Sequence, residues 1–314
     1  MPSLTEKIGL IILAVLFLLT YGYAGWIVLW GVVRRLRRKP RPSRSRVVRV
    51  ARAGVLVLAV LGVACLAYGW MVEPYWPEVT QYQLTTNKLP HGSGPVRIVH
   101  ISDTHCEGDV EKLEGRLPDI IRDLKPDLIV FTGDAANSLA GIHRFRQLMT
   151  DLAQIAPTYG IRGNWDVGMG GMFKNTGVVD LDKQTVEIDI KGAKLSLAGG
   201  PTNSWSPALA ALDRTDPNRF VVLLYHMPDI VLHFGDRKPD LFLAGHTHGG
   251  QICMPFIGAV VTLQETGKLF EHGLVKYGDT QVHVSRGLGT EGRFAPPIRF
   301  LCRPEISVIE LRPE

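Results

Sequence analysis

Hydrophobic positions along this chain follow two patterns. Residues 8–33 run for 26 positions without a charge and residues 53–72 for 20 more, each matching the roughly 20 apolar residues that carry a helix across a bilayer. After residue 95, short apolar stretches alternate with amphipathic ones. Residues 96–102 predict a strand, 110–124 a helix, 127–133 a strand, 143–154 a helix and 158–162 a strand. That alternation marks a parallel sheet covered by helices. Segments 185–190 and 193–198 flank Lys191-Gly192, a two-residue hairpin signal, and 220–226, 241–246, 281–285 and 306–311 continue a strand-rich second half. The expected organisation is a two-helix membrane anchor over 1–72, a Pro- and Gly-rich tether over 73–94 with one strand at 79–84, and a folded α/β domain over 95–314.

Charge sharpens the reading of the anchor. The chain is 46% hydrophobic, ample for a core and too much for a disordered chain. Its net charge of +5 suggests a nucleic-acid surface until the charges are located. Ten of the 35 basic residues lie in 34–52 with no acid among them, and the rest of the chain has 25 basic against 30 acidic residues. That remainder has the wrong sign for nucleic acid, so no such partner is expected. A basic loop between two spans is held in the cytoplasm by the positive-inside rule. Everything after residue 72 is then expected outside. A cleaved signal peptide would have a shorter apolar run and a positive start, whereas only Lys7 precedes the first run. The arginine pairs at 34–35 and 37–38 stand about fifteen residues from the next apolar run, too far for a twin-arginine signal. Cys65 falls in the second span. Cys106, Cys253 and Cys302 leave a Cys253–Cys302 disulfide and free buried thiols both open, with thiols preferred.

The candidate chemistry sits at the ends of the predicted strands. The first closes in Asp103-Thr-His105, two side chains that an extended backbone turns to the same side. The second ends in Gly133-Asp134, and 158–162 runs into Gly163-Asn164-Trp165-Asp166. Further on, 220–226 ends in His226, and 241–246 opens the run Gly245-His246-Thr247-His248-Gly249-Gly250. Ligands of open α/β sheets gather at the carboxyl ends of strands. A lone strand-end Asp is ordinarily a cap, and a lone His an ordinary core or surface residue; His91, His100, His143, His233, His272 and His283 are read that way. Seven ligand-type side chains on five strand ends, four of them beside a Gly, are not. Mixed carboxylate, amide and imidazole donors suit Mn, Fe or Zn better than Ca or Mg, and a carboxylate left over to bridge implies two divalent ions.

The order D-x-H, G-D, G-N, a lone H and G-H-T-H-G-G across residues 96–311 resembles the calcineurin-like metallophosphoesterases. Segments 245–254, 285–290 and 297–305 are similar to the bacterial branch exported from the cytoplasm. The resemblance implies a four-layer α/β fold in which a central β-sandwich is flanked by helices. It implies Asp103, His105 and His248 on one metal ion, Asn164, His226 and His246 on the other, and Asp134 bridging. It also implies hydrolysis of a phosphodiester or pyrophosphate, with a phosphorylated small molecule, lipid or cell-envelope compound near the membrane as substrate. One position departs from the pattern. Most family members carry a His after the Gly-Asn that protonates the leaving oxygen; this chain has Trp165, whose indole cannot. Asp166, which would orient that His, is present, and Arg162 is a candidate phosphate contact. Two rivals stand beside this reading: a pyrophosphatase of UDP-diacylglucosamine type with a cytoplasmic site, and an inactive metal-binding sensor or scaffold. Nothing in the sequence sets an oligomeric state.

Overall fold

The computed structural model describes residues 4–40, 42–107, 113–262, 264–291 and 297–314. Helices α1 (Leu4–Leu36) and α2 (Arg46–Met71) form an antiparallel hairpin. Both are long and apolar enough to cross a bilayer, and their apolar windows are almost entirely exposed. Tyr21 Oη donates to the Ala59 carbonyl across the pair, and near the basic loop the Arg34 and Arg44 guanidinium groups lie 4.6 and 4.5 Å from the Trp30 ring centre.

Among the described residues the rest of the chain builds two six-stranded sheets. The first contains β1 (Glu78–Thr86), β2 (Val96–Ile101), β3 (Leu128–Phe131), β4 (Thr158–Gly160), β5 (Val179–Asp180) and β14 (Glu305–Pro313), in the order β1-β14-β2-β3-β4-β5. The second contains β6 (Thr185–Ile190), β7 (Ala193–Gly199), β8 (Phe220–Leu224), β9 (Leu241–Ala244), β12 (Gly273–Tyr277) and β13 (Thr280–Val284), in the order β12-β13-β9-β8-β7-β6. A small hairpin of β10 (Cys253–Met254) and β11 (Gly258–Ala259) stands apart. The central runs β2, β3, β8 and β9 are buried on both faces, which is why they read as continuous apolar stretches.

Alternate residues of those strands face opposite layers. Ile98, Val130, Leu195, Val222 and Leu243 meet between the sheets. On the outer face of the first sheet, Val99, Ile129 and Phe131 pack on Ile121 of α3 (Leu117–Asp123) and on Phe145 and Met149 of α4 (Leu139–Ala153). On the outer face of the second, Val221, Leu223 and Phe242 pack on α5 (Trp205–Leu212). Four layers result, as expected.

Local differences from the sequence reading have physical causes. The helix expected at 110–124 is α3, starting at Leu117; residues 108–112 lie outside the described residues. Helix α4 begins four residues early because the Ser138 hydroxyl accepts from Gly141 N and caps it. The expected hairpin turn forms, with Lys191 and Gly192 both at positive φ (52° and 84°). The strand expected at 79–84 forms and is longer, so the segment expected as a tether belongs in part to the sheet: β1 pairs in parallel with β14 over nine residues, from Glu78 against Glu305 to Thr86 against Pro313. No disulfide forms among the described residues, and Cys253 and Cys302 are buried thiols.

The helix pair and the sandwich are stitched together. The Glu6 carboxylate at the start of α1 accepts from Thr262 N and Oγ1. Near the end of α2, the Gly69 carbonyl accepts from Arg299 N at 2.9 Å. Just beyond it, the buried Glu73 carboxylate accepts the amides of Leu301 and Cys302.

Candidate metal centre

Parallel strands end on one side of the sandwich, and the loops leaving β2, β3, β4, β8 and β9 meet there. The turns are tight. Asp103, His105, Asp134, His246 and His248 all take positive φ, between 44° and 71°, a region that costs non-glycine residues of order 1–3 kcal/mol each and persists where surrounding structure enforces it. The neighbouring glycines make room. A Cβ on Gly163 would stand 2.0 Å from Asp134 Oδ1, and one on Gly245 2.2 Å from Asp103 Oδ2.

Two groups of potential ligands emerge: Asp103 with His105 and His248, and Asp134 with His226 and His246. The groups touch. His105 Nε2 lies 3.1 Å from His248 Nε2 and 3.7 Å from Asp134 Oδ2, and His248 Nε2 lies 3.4 Å from Asp103 Oδ1. His226 Nε2 is 3.9 Å from Asp103 Oδ1. It also stands 3.0 Å from Asp134 Oδ2, yet off the line of a hydrogen bond. Second contacts orient the rings. His226 Nδ1–H donates to the Thr132 carbonyl at 2.7 Å and His105 Nδ1–H to Asn137 Oδ1 at 2.7 Å, so Nε2 is the ring nitrogen that each turns toward the cluster.

The electrostatics describe a pocket short of positive charge. Burial, reinforced by Asp134, pushes the Asp103 carboxyl up to about 7. Burial also opposes the charge of Asp134, but His226 and His105 hold its carboxyl below the usual range. His226 overcomes its burial because Asp134 and Asp103 raise it to about 9. Burial lowers His105 and His248, and takes His246 down to about 4. Neutral imidazoles, two buried carboxylates and an unbonded Nε2 form a donor set that fits borderline dications.

The other expected site residues have different surroundings. Asn164 is exposed on the turn after β4, immediately before Trp165, whose amide holds Asp134. Trp165 donates its backbone N–H to Asp134 Oδ1 at 2.9 Å, and its ring stands edge-on to His105, centroids 5.4 Å apart. Asp166 is buried, its Oδ2 accepting from Asp134 N and Gly163 N at 2.8 Å and its Oδ1 from Ala135 N at 2.9 Å. Both oxygens clamp loop to loop, so the carboxylate expected to orient a proton donor at 165 instead binds backbone. Arg162 points its guanidinium at Asp180 and Asp182, at 2.7 and 3.0 Å, and those acids occupy the group expected to meet phosphate.

Sequence reasoning missed Asn137, Thr132 and Arg299. Asn137 had a signal, standing three residues after Asp134 in the same strand-end run. Arg299 had none: it is fully buried, donates to the carbonyls of Gly289, Arg286 and Cys302, and brings Nη2 to 3.5 Å from His248 Nδ1. The buried His100 and His283 pair with each other at 3.0 Å, in keeping with their reading as core residues.

A two-sheet sandwich with paired His and Asp clusters at its strand ends defines a metal-dependent phosphoesterase. The chain belongs to the calcineurin-like phosphoesterase family, whose model matches residues 96–250, and is a phosphoester hydrolase. It is 33% identical over 265 residues to an uncharacterized metallophosphoesterase of Bacillus subtilis, covering 78% of this chain and 89% of that one. It is 28% identical over 282 residues to the phosphodiesterase YaeI of Escherichia coli, covering 86% and 99%. A transmembrane protein with a metallophosphoesterase domain from Danio rerio is 28% identical over 319 residues, covering 91% and 70%.

Proposed function

We propose that this protein hydrolyses a phosphodiester or phosphoanhydride at the outer face of the cytoplasmic membrane. Asp103, His105 and His248 would hold one divalent ion, Asn164, His226 and His246 a second, with the Asp134 carboxylate shared between them. The observation that carries the reading is the convergence of both ligand groups on one buried spot, with ring tautomers fixed by Thr132 and Asn137. Two Mn, Fe or Zn dications in such a set supply a water acidified toward neutral pH and neutralise phosphate oxygens.

The chain's own residues do the rest. Asp166 and the Trp165 amide fix the loops that present Asp134. Trp165 walls the site beside His105 and holds no proton for the leaving oxygen. General acid catalysis contributes roughly 10² to 10⁴ in rate, so a site lacking it favours a leaving group stable as an anion. The phosphodiesterase activity in the name of the Escherichia coli relative supports a diester. Sidedness rests on the basic loop, with α1 and α2 docking on the sandwich at their far ends. The test is turnover by the full chain in detergent or nanodiscs of aryl phosphomonoesters, diesters and pyrophosphate esters, with Mn²⁺, Zn²⁺ or Mg²⁺. Diester or anhydride turnover that requires metal is expected, and absence of turnover with every ion overturns the proposal.

A further inference from the structure

A cleft of about 200 Å³ opens beside the metal centre, and its described walls come from two different parts of the protein. At one end stand Thr104 and the ligand His105. At the other stand Trp70 from the last turn of α2, and Pro74 and Tyr75 from the short turn that leads out of it. Leu288 lies between, buried. Trp70 and nearby Trp76 are exposed, at 61% and 53%, at the end of a segment long and apolar enough to span the membrane. Aromatic residues in that place settle at the headgroup level of a bilayer. A second apolar feature lies near the matching end of α1: Phe256 and Ile257 are exposed between β10 and β11, Phe256 fully, on the segment that reaches Thr262 and its bond to Glu6. Exposed apolar side chains thus stand at both ends where the catalytic domain meets the helix pair.

A water-soluble diester needs no such wall. We infer that the cleft takes an amphiphilic phosphoester drawn from the adjoining leaflet, its phosphate at the His105 end and its apolar chain leaving along Trp70 and Pro74 toward the bilayer. The inference rests on the metal-site reading above. It specifies a lipid as the bond's carrier: water attacks phosphorus, the P–O bond to one substituent breaks, and that substituent leaves with a proton as the free alcohol or phosphate. Glu107 and Glu114 also line the cleft, and their carboxylates favour a hydroxyl- or ammonium-bearing headgroup over a polyanionic one.

The experiment uses the full chain in nanodiscs and a series of alkyl phosphates, butyl to dodecyl, as competitors of a soluble aryl phosphodiester. Burial of even two methylenes along the cleft lowers the inhibition constant about tenfold from the short to the long chain. Partition into the disc produces a slope of its own, so the comparison is with Trp70→Ala in the same discs, where the butyl-to-dodecyl ratio should shrink at least about fivefold. A ratio unchanged by the substitution overturns the inference. An independent readout needs no turnover: dodecyl phosphate with a terminal diazirine should label residues 70–75, and excess butyl phosphate should suppress that labelling by displacing the headgroup. Labelling that persists undiminished reports mere partition and also overturns it. Suppressible labelling without turnover would sink the hydrolase reading and leave the lipid cleft standing; turnover with an unaltered ratio would do the reverse.

Discussion

Replacing Asp166 with Asn exchanges one oxygen for an NH2 group at almost constant shape. The effect follows from the three amides the carboxylate holds. An Asn that keeps its oxygen toward Asp134 N and Gly163 N turns its NH2 toward Ala135 N, previously a donor at 2.9 Å. That buried N–H loses its acceptor, at a cost of about 1–3 kcal/mol, and the two surviving bonds lose their charge assistance, roughly 1 kcal/mol each. Against this, burial disfavours the charge itself, pushing the Asp166 carboxyl up to about 6, and a neutral amide recovers part of that penalty. The net is a destabilisation of about 2 kcal/mol, which lowers the melting midpoint of a domain this size by roughly 4–8 °C. Because the clamp positions the Asp134 loop, metal affinity should also fall about 10- to 100-fold. Melting curves of metal-free and Mn²⁺-loaded protein, with a metal titration, read both effects. The rival role, orienting a proton donor at 165, predicts neither, since Trp165 offers nothing to orient. A midpoint within 1 °C of the parent and a metal constant within about twofold would refute the clamp.

Asp134→Ala should empty both metal positions and abolish turnover, while His248→Ala weakens chiefly one; two ions per chain by elemental analysis of Asp134→Ala would contradict the bridging assignment. A phosphatase reporter fused after Glu314 should be active and a cytosol-dependent reporter dark, and the opposite result would favour the cytoplasmic pyrophosphatase. Without a general acid, turnover should depend steeply on leaving-group pKa, and a flat dependence across aryl and alkyl diesters would show that another group supplies the proton. Trp165→His should raise alkyl diester turnover by about 10², the low end of the range for a general acid, because Asp166 is committed to backbone amides and cannot orient the new ring; no gain at all would argue that position 165 does not face the leaving group.

The ligand groups were legible in the sequence because a ligand at the carboxyl end of a buried strand announces itself twice, by the apolar run before it and by the glycine that lets the loop turn. Strand β1 was legible only as an isolated strand at 79–84, and its place in the sheet was not, for the converse reason. Its side chains are mostly polar and half-exposed at a sheet edge, so the composition around it reads as linker, and only its pairing with β14 more than 220 residues away shows that it belongs to the sandwich. Helix α5 was missed because Pro201 to Ser206 reads as turn. The role of Asp166 was unreadable in principle, since its partners are amides about 30 residues upstream, invisible to any pattern of side chains. Arg299 shares that difficulty, as its side chain bonds to three carbonyl oxygens.

Only six residues separate the end of α2 at Met71 from the start of β1 at Glu78, three of them in a helical turn, and the segment is bonded to the sandwich at Gly69 and Glu73. An enzyme on a long leash samples a hemisphere of envelope above its anchor; this one has no leash. With the helix pair seated in a bilayer as proposed, its catalytic spot would sit at a fixed height over the lipid surface and search by gliding in two dimensions. Whatever it cleaves would then lie in that plane or be carried down to it, and lengthening the join at residues 72–77 would trade the plane for volume.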